Sequence, residues 1–382
     1  MIKRERISQL FHLTVFLTVV LVGFPVHCLA NPSSQIDGHD PTRPFPYKEE
    51  EVFFVNLQAG VTLAGTLTLP QGKGPFLAVL IVGGAGHHQR DGYTGYPTHK
   101  LLVLSDYLTR CGIATLRYDK RGVGYSTGNY QTATARDFAD DAGFGVEYLK
   151  GRREIAASKI GLIGHSEGGV IVPMVAVSSK DVSFIILMAG PGVDGEKILL
   201  RQREWIDRSK GLDDRSISIW QKMVRRICEE IKKSDDGTAV LTKLDDIERA
   251  ELAPLIKTNP QVLQEARDYW KNITNQYMLF GPWGKFFLTY DPRISLQQVK
   301  CPVLVIGGEK DRLVFPEENL PAIESALKDG RDQDFLMKLF PNIGHGFQAY
   351  KPGPSDEPAD PQQALAPEVL EYIGDWVEKH VQ

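Results

Sequence analysis

The chain has 382 residues, of which 42% are hydrophobic, and its formal net charge at pH 7 is −4. This length and composition fit a globular protein with a large buried core, arranged in one domain or two. The mildly acidic balance argues against nucleic acid or an anionic membrane surface as a partner.

Residues 1–30 have the pattern of an export signal. A basic start is followed by an apolar run centred on Phe11 to Phe24 and by small residues just before Asn31. The pattern predicts a signal peptide cleaved after Ala30, so that the mature protein is periplasmic or secreted and has no stable membrane partner. An uncleaved membrane anchor is the alternative, because the apolar run is long for a signal peptide. Cleavage would leave 41 basic and 47 acidic side chains, a formal charge of about −6.

The mature chain would keep three cysteines, Cys111, Cys228 and Cys301. Cys111 and Cys301 stand at the starts of strands expected to be buried, where a thiol behaves as a small apolar side chain. No pair or cluster of cysteines has the spacing of a metal site. We therefore expect no essential disulfide and no cysteine-bound metal.

The first structural elements follow a proline-rich linker at residues 31–46. Apolar residues alternate between Glu51 and Leu69, with a break at residues 59–60, which is the pattern of a β-hairpin. From Phe76 to Val82 the apolar run is continuous and bounded by glycines, as in a strand covered on both faces.

Similar buried runs recur along the chain, with helical patterns between them. We expect strands at Ile113–Tyr118, Lys159–Ile163, Phe184–Met188 and Pro302–Ile306, and helices at His99–Cys111, Thr134–Lys150 and Gly168–Ser178. This alternation predicts an α/β fold with a mostly parallel central sheet and helices on both faces. The N-terminal hairpin would add an antiparallel edge.

Residues 192–294 interrupt the alternation. The segment has no buried strand run and shows four amphipathic helical patterns, at Lys197–Lys210, Ser216–Lys233, Val240–Ala250 and Gln261–Leu279. Because the alternation resumes directly afterwards, we expect a helical cap inserted into a core that comprises residues 47–191 and 295–382. A separate helical domain without a catalytic role is the alternative.

One serine stands between a predicted buried strand and an apolar helix, in the segment GHSEGG at residues 164–169. This is the arrangement of a nucleophile elbow, in which a strained turn projects the serine hydroxyl from the carboxyl edge of a sheet. The small residues at positions 164, 168 and 169 suit the crowding of such a turn. Ser166 is therefore the predicted nucleophile.

A second segment, Gly124–Gly128, has the same Gly-x-Ser-x-Gly pattern around Ser126. It is separated from the preceding strand by a polar stretch, and no apolar helix follows it. We therefore interpret Ser126 as a loop residue.

A serine hydroxyl needs a general base to remove its proton. Only His345 and His380 follow Ser166 in the chain. His380 lies on a polar helix end near the C-terminus, whereas His345 follows an apolar strand, Phe335–Leu339, and is flanked by glycines that let a loop reach over the sheet. We predict His345 as the base, with a purely structural histidine as the alternative.

The base must itself be oriented by a carboxylate. Asp311 stands just past the end of a buried strand and is the predicted acid. Glu309 and Asp194 compete with it, and Asp194 follows the preceding strand. We favour Asp311 because the turn after Glu309 would lift it to the edge of the sheet.

The oxyanion of an acyl-transfer intermediate needs two backbone N–H donors. One is expected from Glu167, directly after the nucleophile. The other is expected from the glycine-rich loop after the strand Phe76–Val82, with Ala85 as first choice and Gly84 or Gly86 as alternatives. A phosphate-binding loop is disfavoured because no lysine follows in the required spacing.

Two further groups near these segments are interpreted as structural. His87 and His88 have no convergent carboxylates to complete a metal site, and we therefore predict no metal and no cofactor. Asp119 and Arg121 are expected to pair in a turn that supports the oxyanion loop, although substrate carboxylate binding by Arg121 is an alternative.

These residues resemble the α/β-hydrolase superfamily, and within it the bacterial esterase and serine-aminopeptidase-like group. The resemblance extends over essentially the whole mature chain and is carried by the segments Leu63–Pro70, Gly83–Gly86, Arg90–Gly92, Tyr118–Gly122, Gly164–Gly169, Tyr290–Pro292, Cys301–Leu304, Gly308–Asp311 and Gly344–Gln348. It implies a triad of Ser166, Asp311 and His345, a helical cap, and hydrolysis of an ester or amide without metal or cofactor.

The function expected first is that of a carboxylesterase acting on a small-molecule ester. An aminopeptidase or amidase with a short peptide-like substrate is the alternative within enzymes, and Glu229, Glu230, Asp235 and Asp236 are candidates for binding its free amine. A non-catalytic binding protein of the same fold is the alternative from another class. Four aromatic residues of the cap are expected either to line an acyl pocket or to belong to the cap core: Trp270, Tyr277, Trp283 and Phe286.

Overall fold

The computed structural model describes residues 37–92, 98–277, 279–330, 334–353 and 357–380. The predicted signal peptide lies outside these residues. None of the helices in the described part of the chain is long and apolar enough to cross a membrane.

An eight-stranded sheet forms the centre of the molecule. Its strands are β1 Lys48–Asn56, β2 Val61–Leu69, β3 Phe76–Val82, β4 Ala114–Tyr118, β5 Ile155–His165, β6 Val182–Met188, β7 Val303–Gly308 and β8 Phe335–Phe340. They lie in the order β1-β2-β4-β3-β5-β6-β7-β8. β2 pairs antiparallel with both β1 and β4, and all other neighbours pair parallel. The expected α/β fold with an antiparallel edge is confirmed.

Helices cover both faces of this sheet. The helices of the described residues, including those that do not lie on the sheet, are in chain order α1 Lys100–Arg110, α2 Ala135–Lys150, α3 Gly168–Ser178, α4 Gly195–Ser209, α5 Asp214–Lys233, α6 Leu244–Glu251, α7 Ala253–Ile256, α8 Val262–Tyr277, α9 Pro282–Thr289, α10 Arg293–Leu296, α11 Pro316–Asp329 and α12 Pro367–His380. The apolar sides of α2, α3 and α11 share one buried cluster with the sheet, and those of α1 and α12 share a second. The strands β3, β5, β6 and β7 are buried on both sides, which is why their sequences are continuously apolar.

The seven helices α4 to α10 lie between β6 and β7. Most of them pack around a third apolar cluster, centred on Trp220, Ile227 and Trp270. Helix α9 links this cluster to the main core, because Phe287 packs against both of them. The predicted helix at 240–250 is instead a short 3₁₀ turn, Thr238–Thr242, followed by α6.

The cysteines differ from expectation at one position. Cys228 and Cys301 are free thiols, whereas Cys111 is disulfide-bonded. The expectation that Cys111 is an unpaired thiol at a strand entrance was therefore wrong.

Candidate active site

Ser166 occupies a sharp turn between β5 and α3. Its φ angle is +55°, a left-handed conformation that few residues other than glycine adopt. The turn is held by its own backbone, because Ser166 N–H donates to the Met188 carbonyl at 2.8 Å and Gly169 N–H donates to the Ser166 carbonyl at 2.8 Å. The hydroxyl thus stands at the carboxyl edge of the parallel sheet.

Two glycines allow this turn to fit. A Cβ atom at Gly164 would lie 2.1 Å from the Gly168 carbonyl oxygen, and one at Gly168 would lie 2.3 Å from the Val82 carbonyl oxygen. Both contacts are with backbone atoms, which cannot move aside. A side chain at either position would therefore push α3 away from the sheet and displace Ser166.

Ser166, His345 and Asp311 form a continuous hydrogen-bonded chain. His345 Nε2 lies 3.0 Å from Ser166 Oγ, and His345 Nδ1 lies 2.8 Å from Asp311 Oδ2. Because an ionised carboxylate only accepts hydrogen bonds, the proton belongs on Nδ1. Nε2 is then left with the lone pair that can accept the serine proton. The structure thus brings together the three side chains that the sequence indicated.

The Asp311 carboxylate is fixed on its other side as well. Its Oδ1 accepts from the backbone N–H groups of Leu313 and Val314, each at 2.8 Å, and the side chain is buried. The two competing acids have other partners. Glu309 accepts from the backbone of Asn342, and Asp194 caps the start of α4.

His165 supports the loop that carries His345. Its Nε2 lies 2.9 Å from the His345 carbonyl oxygen, so it donates a proton to that acceptor. Burial, helped by the nearby Lys100 cation, holds the pKa of His165 well below its usual value. This histidine is therefore neutral and acts as a hydrogen-bond donor to the loop.

The two residues predicted to stabilise an oxyanion, Ala85 and Glu167, line one cavity together with Ser166 and His345. The backbone at Gly84 passes close to the nucleophile, since a Cβ atom there would lie 3.1 Å from Ser166 Cβ. The glycine-rich loop and the elbow are thus in direct contact.

A buried lysine ties this loop to the elbow. Lys120 Nζ donates to the Gly84 carbonyl and to Glu167 Oε2, both at 2.6 Å, and the ammonium lies 4.5 Å from the centre of the Phe138 ring. Lys120 and Glu167 are both buried. A buried ion pair with these additional hydrogen bonds holds its surroundings in one arrangement.

Two aromatic residues complete this network. Trp283 of α9 donates its indole N–H to Glu167 Oε1, which connects the inserted helices to the residue after the nucleophile. Tyr130 O–H accepts from the Gly86 backbone N–H at 2.9 Å. The glycine-rich loop is therefore held at Gly84 by Lys120 and at Gly86 by Tyr130.

The cavity beside Ser166 is narrow and mostly apolar, with a volume of about 80 Å³. Its apolar walls come from α3, α4 and α9 and from the segment before α9, and include Val170, Ile198, Leu199, Leu279, Trp283, Phe286 and Phe287. Of the four cap aromatics singled out from the sequence, Trp283 and Phe286 line this cavity. Trp270 lies in the insertion's own core, and the Tyr277 side chain lies outside the described residues.

The expected pairing of Asp119 with Arg121 is wrong. Asp119 binds Arg90, with Oδ2 2.8 Å from the guanidinium, whereas Arg121 binds Asp141. Arg121 points towards α2 because its partner Asp141 lies on that helix. The neighbouring residue that reaches the glycine-rich loop is Lys120.

Ser126 has a structural role. Its Oγ donates to the Asp119 carbonyl at 2.6 Å and accepts from the Ala64 N–H at 3.0 Å, and the side chain is buried. His87 packs against the Tyr130 ring, with 4.1 Å between ring centres. Across the described ranges, no group of three or more His, Cys, Asp or Glu side chains is arranged to hold a metal ion.

The acidic residues considered for amine binding do not line the cavity. Glu230 is engaged by Lys233 and Lys243 at 3.0 Å each, and Glu229 lies 3.6 Å from Arg226. These pairs lie on the outer face of the insertion.

Comparison with known proteins places these features in a family. A family model described as serine aminopeptidase, S33, matches residues 95–349, which include Ser166, Asp311 and His345. Esterase EstD of Thermotoga maritima is 29% identical over 167 residues, 43% of this chain and 39% of that protein. A protein of Escherichia coli described as uncharacterized is 23% identical over 244 residues, 63% of this chain and 76% of that protein. The chain thus spans well under half the length of the esterase.

Solved structures share the fold at low sequence identity. The α/β hydrolase GrgF from Penicillium sp. sh18 superposes with a TM-score of 0.55 at 18% identity and covers 87% of this chain and 99% of its own. An esterase from Pyrococcus furiosus gives 0.51 at 14% identity, covering 88% and 92%. These likenesses show the α/β-hydrolase fold.

Proposed function

Since the chain belongs to the α/β-hydrolase family described as serine aminopeptidase, S33, we propose that it is a serine esterase that cleaves carboxylic esters through an acyl-enzyme. The observation that carries the proposal is the unbroken hydrogen-bonded chain from Ser166 through His345 to Asp311 at the mouth of an apolar cavity.

In the first step, Ser166 Oγ attacks the ester carbonyl carbon while His345 Nε2 takes the hydroxyl proton. Asp311 stabilises the imidazolium that forms and keeps its Nδ1–H pointed away from the serine. His345 then gives the proton to the departing alcohol. A water molecule, deprotonated by the same histidine, hydrolyses the acyl-enzyme and restores the serine.

The negative oxygen of each tetrahedral intermediate is assigned to the backbone N–H groups of Ala85 and Glu167. Such donors act without reorganisation only if their peptide planes are held in advance. The contacts of Lys120 with the Gly84 carbonyl and with the Glu167 side chain support this role, because they fix the chain on both sides of the proposed oxyanion site.

Ester hydrolysis is favoured over aminopeptidase activity by the charge of the cavity. A free amine needs an unpaired carboxylate to bind it. In the described part of the chain, Glu167 is the acidic residue that lines the apolar cavity, and it is paired with Lys120. The similarity to a protein named as an esterase points the same way.

The test is hydrolysis of p-nitrophenyl esters from acetate to octanoate, with aminoacyl-p-nitroanilides in parallel. We expect ester turnover, lost by about five orders of magnitude in Ser166→Ala and about four in Asp311→Asn. Ser126→Ala is the matched control, because it removes a serine hydroxyl but leaves the proposed nucleophile Ser166 in place. Turnover of the anilides alone would move the assignment to a peptidase. Absence of both activities and of fluorophosphonate labelling at Ser166 would contradict a catalytic role.

Export is a further part of the proposal. It rests on the basic start and apolar run of residues 1–30. Fractionation of a bacterial host that expresses the full chain, with mass determination of the product, tests it. A periplasmic or extracellular product that begins at Asn31 is expected, and an intact chain in the cytoplasm would contradict it.

A further inference from the structure

A second cleft, with a volume of about 640 Å³, borders the same Ser166 and His345. Its walls are the glycine-rich loop after β3, the start of α1, the loop after β7 and the loop after β8, with Trp205 of α4 at one side. The last loop lines it with His345, Gly346, Gln348 and Tyr350 and, further along, with residues 358, 360 and 361. A group in this cleft therefore lies beside the histidine that gives its proton to the departing alcohol.

The charged residues in this cleft are mostly basic. Among the described residues, Lys100, Lys310 and Arg312 line it, together with one acid, Asp360. Asp360 is already engaged, since its Oδ2 lies 2.9 Å from His39 Nε2. The cleft therefore presents positive charge towards a bound molecule, in contrast to the net negative charge of the chain.

Lys100 is a cation without a partner. In the described part of the chain its ammonium makes no hydrogen bond and no ion pair, although it interacts electrostatically with Asp311 and lies close enough to His165 to lower the pKa of that residue. Burial lowers the pKa of Lys100 to about 8, so it is still mostly charged at neutral pH. A desolvated ammonium of this kind gains free energy when an anion binds beside it.

Arg312 is incompletely satisfied as well. Its terminal nitrogen donates to the Glu309 carbonyl at 3.3 Å, while its Nε is buried and has no hydrogen-bond partner. Lys310 differs from both, because its Nζ donates to the carbonyls of Lys351 and Gly353 at 2.8 Å each. Lys310 therefore stabilises a loop and adds charge, whereas Lys100 and Arg312 have donors to spare.

We propose that this cleft binds an anionic group, a carboxylate or a phosphate, carried by the alcohol part of the ester, and that Lys100 and Arg312 hold it. This inference rests on the proposed esterase function. The substrate is then an ester with an apolar acyl chain in the narrow cavity and an acidic alcohol in the cleft. Hydrolysis breaks its acyl–oxygen bond and consumes one water, giving a fatty or other apolar acid and an acidic alcohol.

The test uses phenyl butyrates that differ only in the para substituent, which is a carboxylate, a phosphonate or a neutral carboxamide. We expect the wild-type protein to favour one of the charged esters, and the better of the two identifies the anion. Lys100→Met removes the charge at similar volume and should lower kcat/KM for that ester about tenfold more than it lowers kcat/KM for the carboxamide ester. Arg312→Gln should act in the same direction, and Lys100→Arg should keep the preference.

Lys222→Met is the matched control, because this lysine is exposed on α5 and pairs with Glu251. For each variant, kcat/KM for the charged ester is divided by kcat/KM for the neutral ester. Dividing this ratio by the wild-type ratio cancels the intrinsic reactivities of the esters. Equal loss on all three esters, or an unchanged ratio in both variants, overturns the inference.

A binding measurement separates failure of this inference from failure of the proposed function. Ser166→Ala is titrated calorimetrically with 4-hydroxybenzoate, 4-hydroxyphenylphosphonate and 4-hydroxybenzamide. Binding of an anion that is weakened by Lys100→Met supports the site even if no ester is turned over. Hydrolysis of the neutral ester without anion binding leaves the esterase intact and removes the anion site.

Discussion

Two lysines lie near the candidate nucleophile, and they differ in what surrounds them. Lys120 has two acceptors at 2.6 Å, one of them the carboxylate of Glu167, and an aromatic ring beneath it. Lys100 has none of these within the described residues. A cation whose donors are all satisfied stabilises the site's architecture, whereas one with free donors is available to a ligand.

The same contrast separates the two cavities. The narrow cavity is walled mostly by apolar side chains of the insertion, and Glu167, the acid that lines it among the described residues, is paired with Lys120. The wide cleft is walled mainly by loops of the core and the start of α1, with Trp205 of the insertion at one side, and its lining residues are mostly basic. Under the proposed function, the narrow cavity selects by size and apolarity, while the basic residues of the cleft select by charge.

The largest expected effect in a test of the difference between Lys120 and Lys100 comes from Lys120→Met. It leaves the Glu167 carboxylate buried without its cation and releases the Gly84 carbonyl, so we expect kcat to fall about a hundredfold for charged and neutral esters alike, with KM little changed. Removing one partner of a buried pair also costs about 3–5 kcal/mol of stability, visible as a lower melting temperature.

Steady-state kinetics below the melting temperature, with the active sites titrated by a fluorophosphonate, provide the measurement for Lys120→Met. Lys120→Arg keeps a cation and should recover part of kcat. A loss confined to the charged ester would show that Lys120, and not Lys100, belongs to the anion site.

The narrow cavity is tested by filling it. Val170 of α3 lines it and is half-buried, so Val170→Phe should shorten the space for an acyl chain. We expect the octanoate-to-acetate ratio of kcat/KM to fall about tenfold, since each misfit methylene costs on the order of 1–3 kcal/mol. The charged-to-neutral ratio of the para-substituted esters should stay unchanged. A shift in that second ratio would mean that the two cavities are not independent.

The smallest effect is a change with pH. The pKa of Lys100 is lowered to about 8 by burial, with Asp311 opposing the shift, and the neighbouring His165 is neutral. The ammonium is therefore present below pH 8 and lost as the pH rises through it. We expect the preference for the charged ester to decline by up to about tenfold between pH 7 and 9.5. The neutral ester measured alongside corrects for pH effects on the chemical steps that both esters share. A preference that stays constant over this interval would contradict the role of Lys100.

Much of the architecture follows from sequence pattern alone. Strands covered on both faces are continuously apolar, and the glycines around Ser166 mark a turn in which no side chain fits. The order of Ser166, Asp311 and His345 along the chain indicated the three side chains that meet. The apolar strands and the glycines of the turn are local features of the sequence. The meeting of the three side chains depends only on the fact that the carboxyl ends of parallel strands lie at the same edge of the sheet.

What the sequence did not indicate depends on the direction of side chains in loops. Lys120 and Arg121 are adjacent, yet one reaches the oxyanion loop and the other reaches α2. Lys100 begins a helix, a position that gives no sign of a cleft. A clue to Lys120 was available, since a lysine two residues past the end of a buried strand needs a partner, but nothing in the sequence identified Glu167 as that partner.

The contact between Trp283 and Glu167 has a consequence for recombining this protein with its relatives. The insertion is often pictured as an exchangeable module grafted onto a constant scaffold. Here its indole N–H is one of the donors that satisfy the residue after the nucleophile, so a chimaera that replaces residues 192–294 would also alter the scaffold. A chimaera that keeps a tryptophan at position 283 preserves the hydrogen bond to Glu167. A chimaera without this tryptophan leaves the Glu167 carboxylate with Lys120 as its partner.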